Sequence, residues 1–535
     1  MRRPVAALVV AMLAFGFAFA PTGSAHRAGA AGPLRMTVAT LGRIGSLDPR
    51  HGDSVIAREV WNLQYPTLTT LDPQTFDPAP GLAAAWSPLA DGRGWIYDLR
   101  PGLTWSDGQP VTAADVVYSF DEARDDRWPY AAGMFDGLNA RALNSHSVQV
   151  TSTLAEHLLP GLLVHVVPAH VFSKFADLDT NLAKLGVSDG PWHVVGATAD
   201  SVELDATNGP AGPALQQIVF RTYTSAGTLI DALAHRQVDV ISGVPVSDLG
   251  RLETLPHVTV DHASDGTQYF LIDHLGNARV RQAVSLAIDR TELVTQTVDG
   301  IGTPGVVPLI ASGASWALDD TTVESLTAAL DAQPDRARQL AVTTPPIAKL
   351  TFAAPADATS EQVATFIRNA LAGVGIQTTT SSADNPTVDL SLQHATIATD
   401  PTAMLRGLTC DICTATFRQY SSTTDATTRL DAAHLMLQHA VAQATVLGLF
   451  QPDTLQAFRN NRFAGFLPEP QQRSLVVFGP TVAQYSELSA APPPPGEGSS
   501  DTTYAIGAVI VLALCAAAYG AAAWIRHRFS TTGDA

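Results

Sequence analysis

Between about Leu34 and Tyr485 the sequence predicts an α/β or α+β fold, and three observations carry that expectation. Short β-like runs alternate with runs of helical periodicity, two stretches carry complete local turn and capping signals, and neither an internal repeat nor a low-complexity block interrupts them. The chain has 535 residues, 46% of them hydrophobic and 15% charged, which excludes a disordered or fibrous chain and provides ample core without metal or disulfide support. With 50 acidic against 32 basic residues, a net charge of -18 and no basic stripe, a nucleic-acid partner is excluded.

Taken in order, residues 1–25 read as a signal peptide: Arg2 and Arg3, an apolar run from Val5 to Ala20, then small residues ending at Gly23 and Ala25. Cleavage after Ala25 is expected, with an uncleaved amino-terminal anchor as the alternative. Leu34 to Ala39 reads as a strand, and Gly94 to Leu99 as an alternating one that ends at the turn residues Pro101 and Gly102. After Ser106-Asp107-Gly108, Thr112 stands as an N-cap with Asp115 three residues on, so a helix is expected from Ala113 to about Arg124. Asn277 to Gln296 places Val280, Val284, Ala287 and Ile288 on one helical face, with a break near Asp289. Gly300, Gly302, Pro304, Gly305 and Pro308 then predict a loop. A strand at Lys349–Ala353, a helix at Gln362–Ala372 and a strand at Ile376–Thr380 make a parallel βαβ unit.

The carboxyl-terminal segment is of another kind. Residues 489–502 form a Pro/Gly/Ser linker that, extended at roughly 3 Å per residue, reaches about 40 Å. Residues 503–525 are an uncharged apolar stretch long enough to cross a bilayer as one helix, and the tail 526–535 opens with Arg526, His527 and Arg528, as a cytoplasmic end requires. A buried core helix is the alternative, but the stretch has no amphipathic face.

The ordered motifs WIYDLRPGLTWSDGQPVTAADVVYSF (95–120) and RVRQAVSLAIDR (279–290), with Gly190-Pro191-Trp192 and LIDALAHRQVDVI between them, resemble those of one family. YPTLTTLDPQTFDPAPGLAAAWSP ahead of them and FQPDTLQAFRNNRFAGFLP behind them extend the likeness over nearly the whole ectodomain. The family is the dipeptide and oligopeptide class (family 5) of solute-binding proteins that serve ATP-driven importers. The resemblance implies a two-lobed, periplasmic-binding-protein-like α/β ectodomain of the type II, extra-subdomain class; residues 503–525 add the carboxyl-terminal transmembrane helix expected from their own composition. Lobe I would be 34–262 plus 457–485, with an inserted subdomain at about 61–165; lobe II would be 263–456, and the hinges would lie near Tyr269 and Ala457. The implied partners are a small solute, possibly a peptide, and ABC permease subunits; the protein would be a membrane-anchored monomer without a cofactor.

In peptide-binding members a Trp is followed by an Asp that takes the ligand's ammonium group, and an Asp-Pro pair follows three residues later. Here that pair is Asp400-Pro401, with Ile397 at the anchor position and His394 and Ala395 where the Trp is expected. An unpartnered buried cation costs several kcal/mol, so free-amine peptides are disfavoured unless Asp389 or Asp400 takes the role. The family's Asp-x-x-x-Arg motif matches Asp425 and Arg429. The solute contacts expected are His51, Asp53, Trp61, Tyr269, Phe270, His394 and Asp400, with core packing as the alternative for the aromatic residues.

Cys410 and Cys413 predict a local disulfide in an exported domain; a redox pair would need a thioredoxin-like unit, and a zinc site two further ligands. Cys515 reads as a small apolar residue. His157, His165 and His170 lack metal-ligand spacing, so no metal site is expected. With no nucleophile elbow, no P-loop and no GxGxxG, an enzyme is not expected either, although Asp48, His51 and Asp53 can be drawn as a hydrolytic set. Two functions fit: a tethered receptor that delivers solute to an importer, or a cell-envelope regulator derived from the same fold.

Overall fold

The computed structural model describes residues 33–491 apart from 74–76, 126–127, 129–136, 153–163, 208–212, 265–266, 306–317, 329–330, 344–346, 348, 383–386, 397–401, 424, 468–475 and 479–480. The alternating apolar run at the start forms β1 (Leu34–Leu41), and a loop leads to α1 (Val55–Gln64), capped by the Ser54 side chain, which accepts from Ala57 N–H. Strands β2 (Ala83–Pro88) and β3 (Gly94–Leu99) follow, then α2 (Ala113–Asp125), β4 (Leu138–Asn144) and β5 (Ser147–Ser152). These strands form a separate antiparallel sheet in the order β2-β3-β5-β4. The capping pattern ahead of α2 is realised: Thr112 N–H donates to Asp115 Oδ2 at 2.9 Å.

The chain then lays down β6 (Trp192–Ala197), β7 (Ser201–Ala206), β8 (Leu215–Tyr223), α3 (Ala226–Ala234), β9 (Val240–Val244), β10 (Val258–Ser264) and β11 (Thr267–Asp273). Strand β1 lies between β8 and β9, parallel to both, while β7 and β6 extend the β8 edge antiparallel. This is the first lobe's sheet.

The second lobe begins with α4 (Ala278–Ala287) and α5 (Arg290–Thr297); the break between them falls at Asp289, which caps α5 by accepting from Glu292 N–H. Then come β12 (Gly302–Pro304), α6 (Asp320–Ala328), β13 (Leu350–Ala353), α7 (Ala358–Gly373), β14 (Thr378–Ser381) and β15 (Leu390–Thr396). Helices α8 (Cys413–Ser422) and α9 (Ala426–Ala442) lead into β16 (Val446–Arg459). Strands β14, β13 and β15 are parallel, as the βαβ reading requires, and β11 pairs antiparallel with β15 on one side and β16 on the other.

β16 is what joins the two lobes. Its first residues pair with β11, as in Phe450↔Tyr269, and its last pair with β10 and β9, as in Ala457↔Val260 and Ala457↔Ile241. Ala457 therefore lies inside the first lobe, not at the hinge expected there; the strand changes partners around Gln451–Asp453, between its pairing with Ser264 of β10 and its pairing with Tyr269 of β11. Pro452, which has no N–H to give a ladder, stands at that change. The loop expected around Gly302 contains a strand instead, because β12 pairs with Phe450–Pro452 and braces the crossing. Gly302 has φ +156°, and a Cβ there would lie 2.6 Å from Gln451 O, so only glycine permits this close approach.

Among the described residues no helix is long and apolar enough to cross a membrane. The expected signal peptide (1–25), the apolar stretch 503–525, the tail and nearly all of the linker lie outside the described residues. The linker's first residues, Ser489–Ala490, pair with Phe463–Ala464.

Candidate functional site

In an open parallel sheet the groups that meet a ligand stand beyond the carboxyl ends of the strands. Both lobes turn those ends toward the crossing. The carboxyl end of β9 pairs with Leu455 of β16 (Val244↔Leu455), and β1 and β8 run parallel to it; the carboxyl end of β15 pairs with the start of β11 (Thr396↔Thr267), and β13 runs parallel to β15. The candidate site is the cleft between these two edges.

On the first lobe the edge is the loop from Gly42 to Ser54. Its irregular backbone is held from beneath by buried polar groups. The Asp48–Arg50 ion pair is 2.5 Å long, with side chains 0% and 9% exposed, and Asp179 accepts from Leu47 N–H at 2.7 Å. Trp61 on α1 is fully buried and donates from Nε1 to Leu47 O at 2.7 Å. A Cβ on Gly52 would lie 2.5 Å from the Trp61 ring, so loop and indole are fitted to each other. On this support stand exposed His51 and the Arg43–Asp53 pair, 3.0 Å apart with side chains 73% and 55% exposed. An ion pair so exposed is worth about 0–1 kcal/mol, so a solute can exchange with either partner at little cost.

The second lobe's edge is built on regular structure. Tyr269 stacks on Phe450 with centroids 4.8 Å apart and an interplanar angle of 6°, and His394 lies against Tyr269 at 5.2 Å. Asp357 caps α7 by accepting from Ser360 N–H and sits 3.4 Å from His394 Nε2. Burial pulls the Asp357 carboxyl upward, but the hydrogen bonds from Ser360 and the adjacent His394 outweigh it and hold the group below its ordinary value.

Of the residues expected to contact solute, the structure places exposed His51 and Asp53 on the first edge and exposed His394 on the second, with Tyr269 buried beneath His394. Trp61 is corrected: an indole with no exposure and a satisfied N–H supports the loop and offers no face to a ligand. Phe270 is corrected too. Successive residues of a strand point to opposite faces, so while Tyr269 faces the Phe450 side, Phe270 is buried with Leu405, Tyr420 and Met436. Asp400 and Ile397 lie outside the described residues. Asp389, the other possible ammonium partner, stands at the amino end of β15, where it accepts from Thr351 N–H and Oγ1–H at 2.8 and 2.7 Å. Arg43 and Asp357 are the groups that sequence reasoning missed. Only Asp357 carries a local signal, an N-cap aspartate opening a long helix.

The remaining motifs lie elsewhere. Cys410 and Cys413 are joined in a disulfide at the start of α8, and Asp411 between them meets His439 at 3.3 Å. A groove lined by Thr321, Thr322, Ser325, Gln438 and His439 runs between α6 and α9, on outer helices of the second lobe. Asp425 caps α9, and Arg429 lies over the Tyr420 ring at 4.8 Å. Buried His165 sits 3.0 Å from Asn62 Oδ1, and desolvation pushes its pKa down to about 4; His170 pairs with Asp107 at 2.8 Å, and His157 lies outside the described residues. Asp48 is fully buried against Arg50, which removes it from a hydrolytic set with His51 and Asp53.

A sequence model described as "Bacterial extracellular solute-binding proteins, family 5 Middle" matches residues 77–408. The chain belongs to this family. Among relatives of this family 5 chain, the periplasmic oligopeptide-binding protein OppA of Salmonella typhimurium is 26% identical over 286 residues, covering 47% of this chain and 52% of OppA. The probable deoxycholate-binding periplasmic protein YgiS of Escherichia coli is 26% identical over 299 residues, covering 49% and 54%. The chain spans about half the length of the curated relatives it matches. The solved structure of HbpA2 from Haemophilus parasuis shares the fold with a TM-score of 0.71 at 16% identity, over 86% of this chain and 100% of that one.

Proposed function

We propose that this protein is the extracytoplasmic receptor of an ABC-type importer and captures a peptide or peptide-like solute by closing its two lobes. The observation that carries this reading is the convergence of strand carboxyl ends from both lobes on a two-strand crossing, in a chain of family 5. A solute touching Arg43, His51 or Asp53 on one edge and His394 on the other would favour the shut state by its contacts with both. The hinge in this reading is the Gln451–Asp453 stretch of β16, where the strand passes from β10 to β11. The relatives described above carry solute-binding names, and the regulatory alternative draws no support from them. Residues 503–525 would anchor the monomer, with the tail cytoplasmic; such a tether raises the receptor's concentration at the importer's mouth.

Native mass spectrometry of the purified protein, followed by a thermal-shift screen of peptides, tests this function. A ligand present at a hundred times its Kd adds about 2.7 kcal/mol of stability, a plainly visible shift. A co-purified peptide mixture is the expected result. No bound solute and no shift across the panel would overturn the proposal.

A further inference from the structure

The bridge between Cys410 and Cys413 encloses only two residues, and a loop so short constrains the unfolded chain less than a longer one would. The chemistry of an exchanging pair requires less than a whole thioredoxin-like unit: one reachable sulfur, one buried sulfur and a neighbour that stabilises the thiolate released. All three are present. Cys410 is half-buried, whereas Cys413 is 1% exposed and is the first residue of α8. Helices α7 and α9 are capped by Asp357 and Asp425, but the residue ahead of α8 is Ile412, whose side chain has no oxygen to accept from the first-turn N–H groups. An anion formed at Cys413 would take the place of that cap. The turn itself is held independently of the bridge: Asp411 N–H donates to Gln443 Oε1 and its carboxylate meets His439 Nδ1, both at 3.3 Å and both at the carboxyl end of α9. His439 also lines the groove of about 560 Å³ between α6 and α9, whose walls offer Thr321, Thr322, Ser325 and Gln438 as polar groups.

We propose that Cys410–Cys413 is an exchangeable disulfide that oxidises thiol-bearing peptides seated in the α6–α9 groove, an activity separate from solute capture in the cleft. The peptide's thiolate attacks Cys410 Sγ and forms a mixed disulfide, while the Cys410–Cys413 bond breaks with its electron pair on Cys413 Sγ, at the amino terminus of α8. A second peptide thiolate then attacks the peptide sulfur of the mixed disulfide and releases Cys410 as a thiolate. Two thiols have become one disulfide, the protein's pair has gained the two electrons, and the two protons that the thiols lost pass to the cysteine thiolates or to solvent. The groove's hydroxyl and amide groups suit the donors and acceptors of an extended peptide backbone, and its His439 wall borders on the disulfide turn through Asp411.

Reduced glutathione, a tripeptide with one thiol, is the probe, added to the full-length protein in detergent without denaturant; alkylation followed by peptide mass spectrometry reads Cys410 and Cys413 separately. Both should become alkylated, with a glutathione adduct on Cys410 as the intermediate. With oxidised glutathione, Cys413→Ser should form that adduct at Cys410 about tenfold faster, or more, than Cys410→Ser forms one at buried Cys413. Ser325→Trp, which narrows the groove from an exposed position on its wall, should slow reduction by glutathione severalfold and leave reduction by 2-mercaptoethanol, too small to need the groove, unchanged. A pair that opens only in urea would overturn the inference, as would equal adduct rates in the two cysteine variants. Slowing of both thiols alike by Ser325→Trp, or of neither, would overturn the groove's part in it. Each of these outcomes leaves the receptor reading standing, because none of them touches the cleft.

Discussion

The two edges of the cleft reach a defined shape by opposite routes. The first lobe's edge is an irregular loop made rigid by what lies under it: a buried Asp48–Arg50 pair, the Asp179 carboxylate and the Trp61 indole. The second lobe's edge is made of strand ends and a helix cap, with an exposed His394–Asp357 contact on top. The loop is over-determined and its working groups are few. The regular edge is held by ladder hydrogen bonds and can afford partners that change. Regular secondary structure is thus not the measure of rigidity here; what matters is whether the polar groups beneath the surface are satisfied only in one arrangement.

The sharpest way to break this contrast is to remove the loop's support. Trp61→Ala leaves a cavity the size of an indole and an unpaired Leu47 carbonyl, and should destabilise the protein by about 3–5 kcal/mol in urea denaturation. A loss below about 1 kcal/mol would show that the loop stands without it. Asp48→Asn strands the buried Arg50 guanidinium, and the expected loss is about 3 kcal/mol. Proteolysis at the 43–54 loop should rise with it, whereas Asp357→Asn should leave cleavage there unchanged.

A smaller effect comes from the far end of β11. Burial pushes the Asp273 carboxyl up to about 7, with Leu275 N–H and Arg281 pulling the other way. The folded state then holds a proton that the unfolded chain releases near pH 4, so this group's contribution to stability falls as pH rises from about 4 to 7. Asp273→Asn should stabilise the protein at pH 8 by about 1–3 kcal/mol and flatten that limb. His165 has the opposite sign: its folded value of about 4 lies below the usual histidine range, so stability falls as pH drops from about 6.5 to 4. A His165→Gln variant with an unchanged acid limb would refute that assignment. Last in size, Arg43→Ala should cost less than about 1 kcal/mol, since its pair is exposed. A change in solute affinity without a change in melting temperature would mark Arg43 as a cleft contact.

Much of the fold was legible because its signals are local. The Thr112–Asp115 cap, the break at Asp289 and the βαβ unit each depend on residues a few positions apart, and each is found where the spacing places it. The site was legible only in part. His51, Asp53 and His394 are exposed beyond the strand ends near the crossing, whereas Trp61, Tyr269 and Phe270 are buried. An aromatic side chain packs a core or lines a pocket with equal fitness, and which it does depends on the face it takes. Tyr269 and Phe270 are adjacent in sequence, yet each packs into a different core from opposite faces of one strand.

The sequence by itself determined the family, the alternation of elements and the helix and turn boundaries, because motif order and capping chemistry act over short separations. Tertiary structure decided that β16 serves both lobes, that Gly302 braces the crossing and that Asp357 meets His394 across 37 positions. Those outcomes depend on strand register and on which carboxyl ends are brought side by side. Both are settled by packing among distant segments, where no short stretch of sequence carries the information.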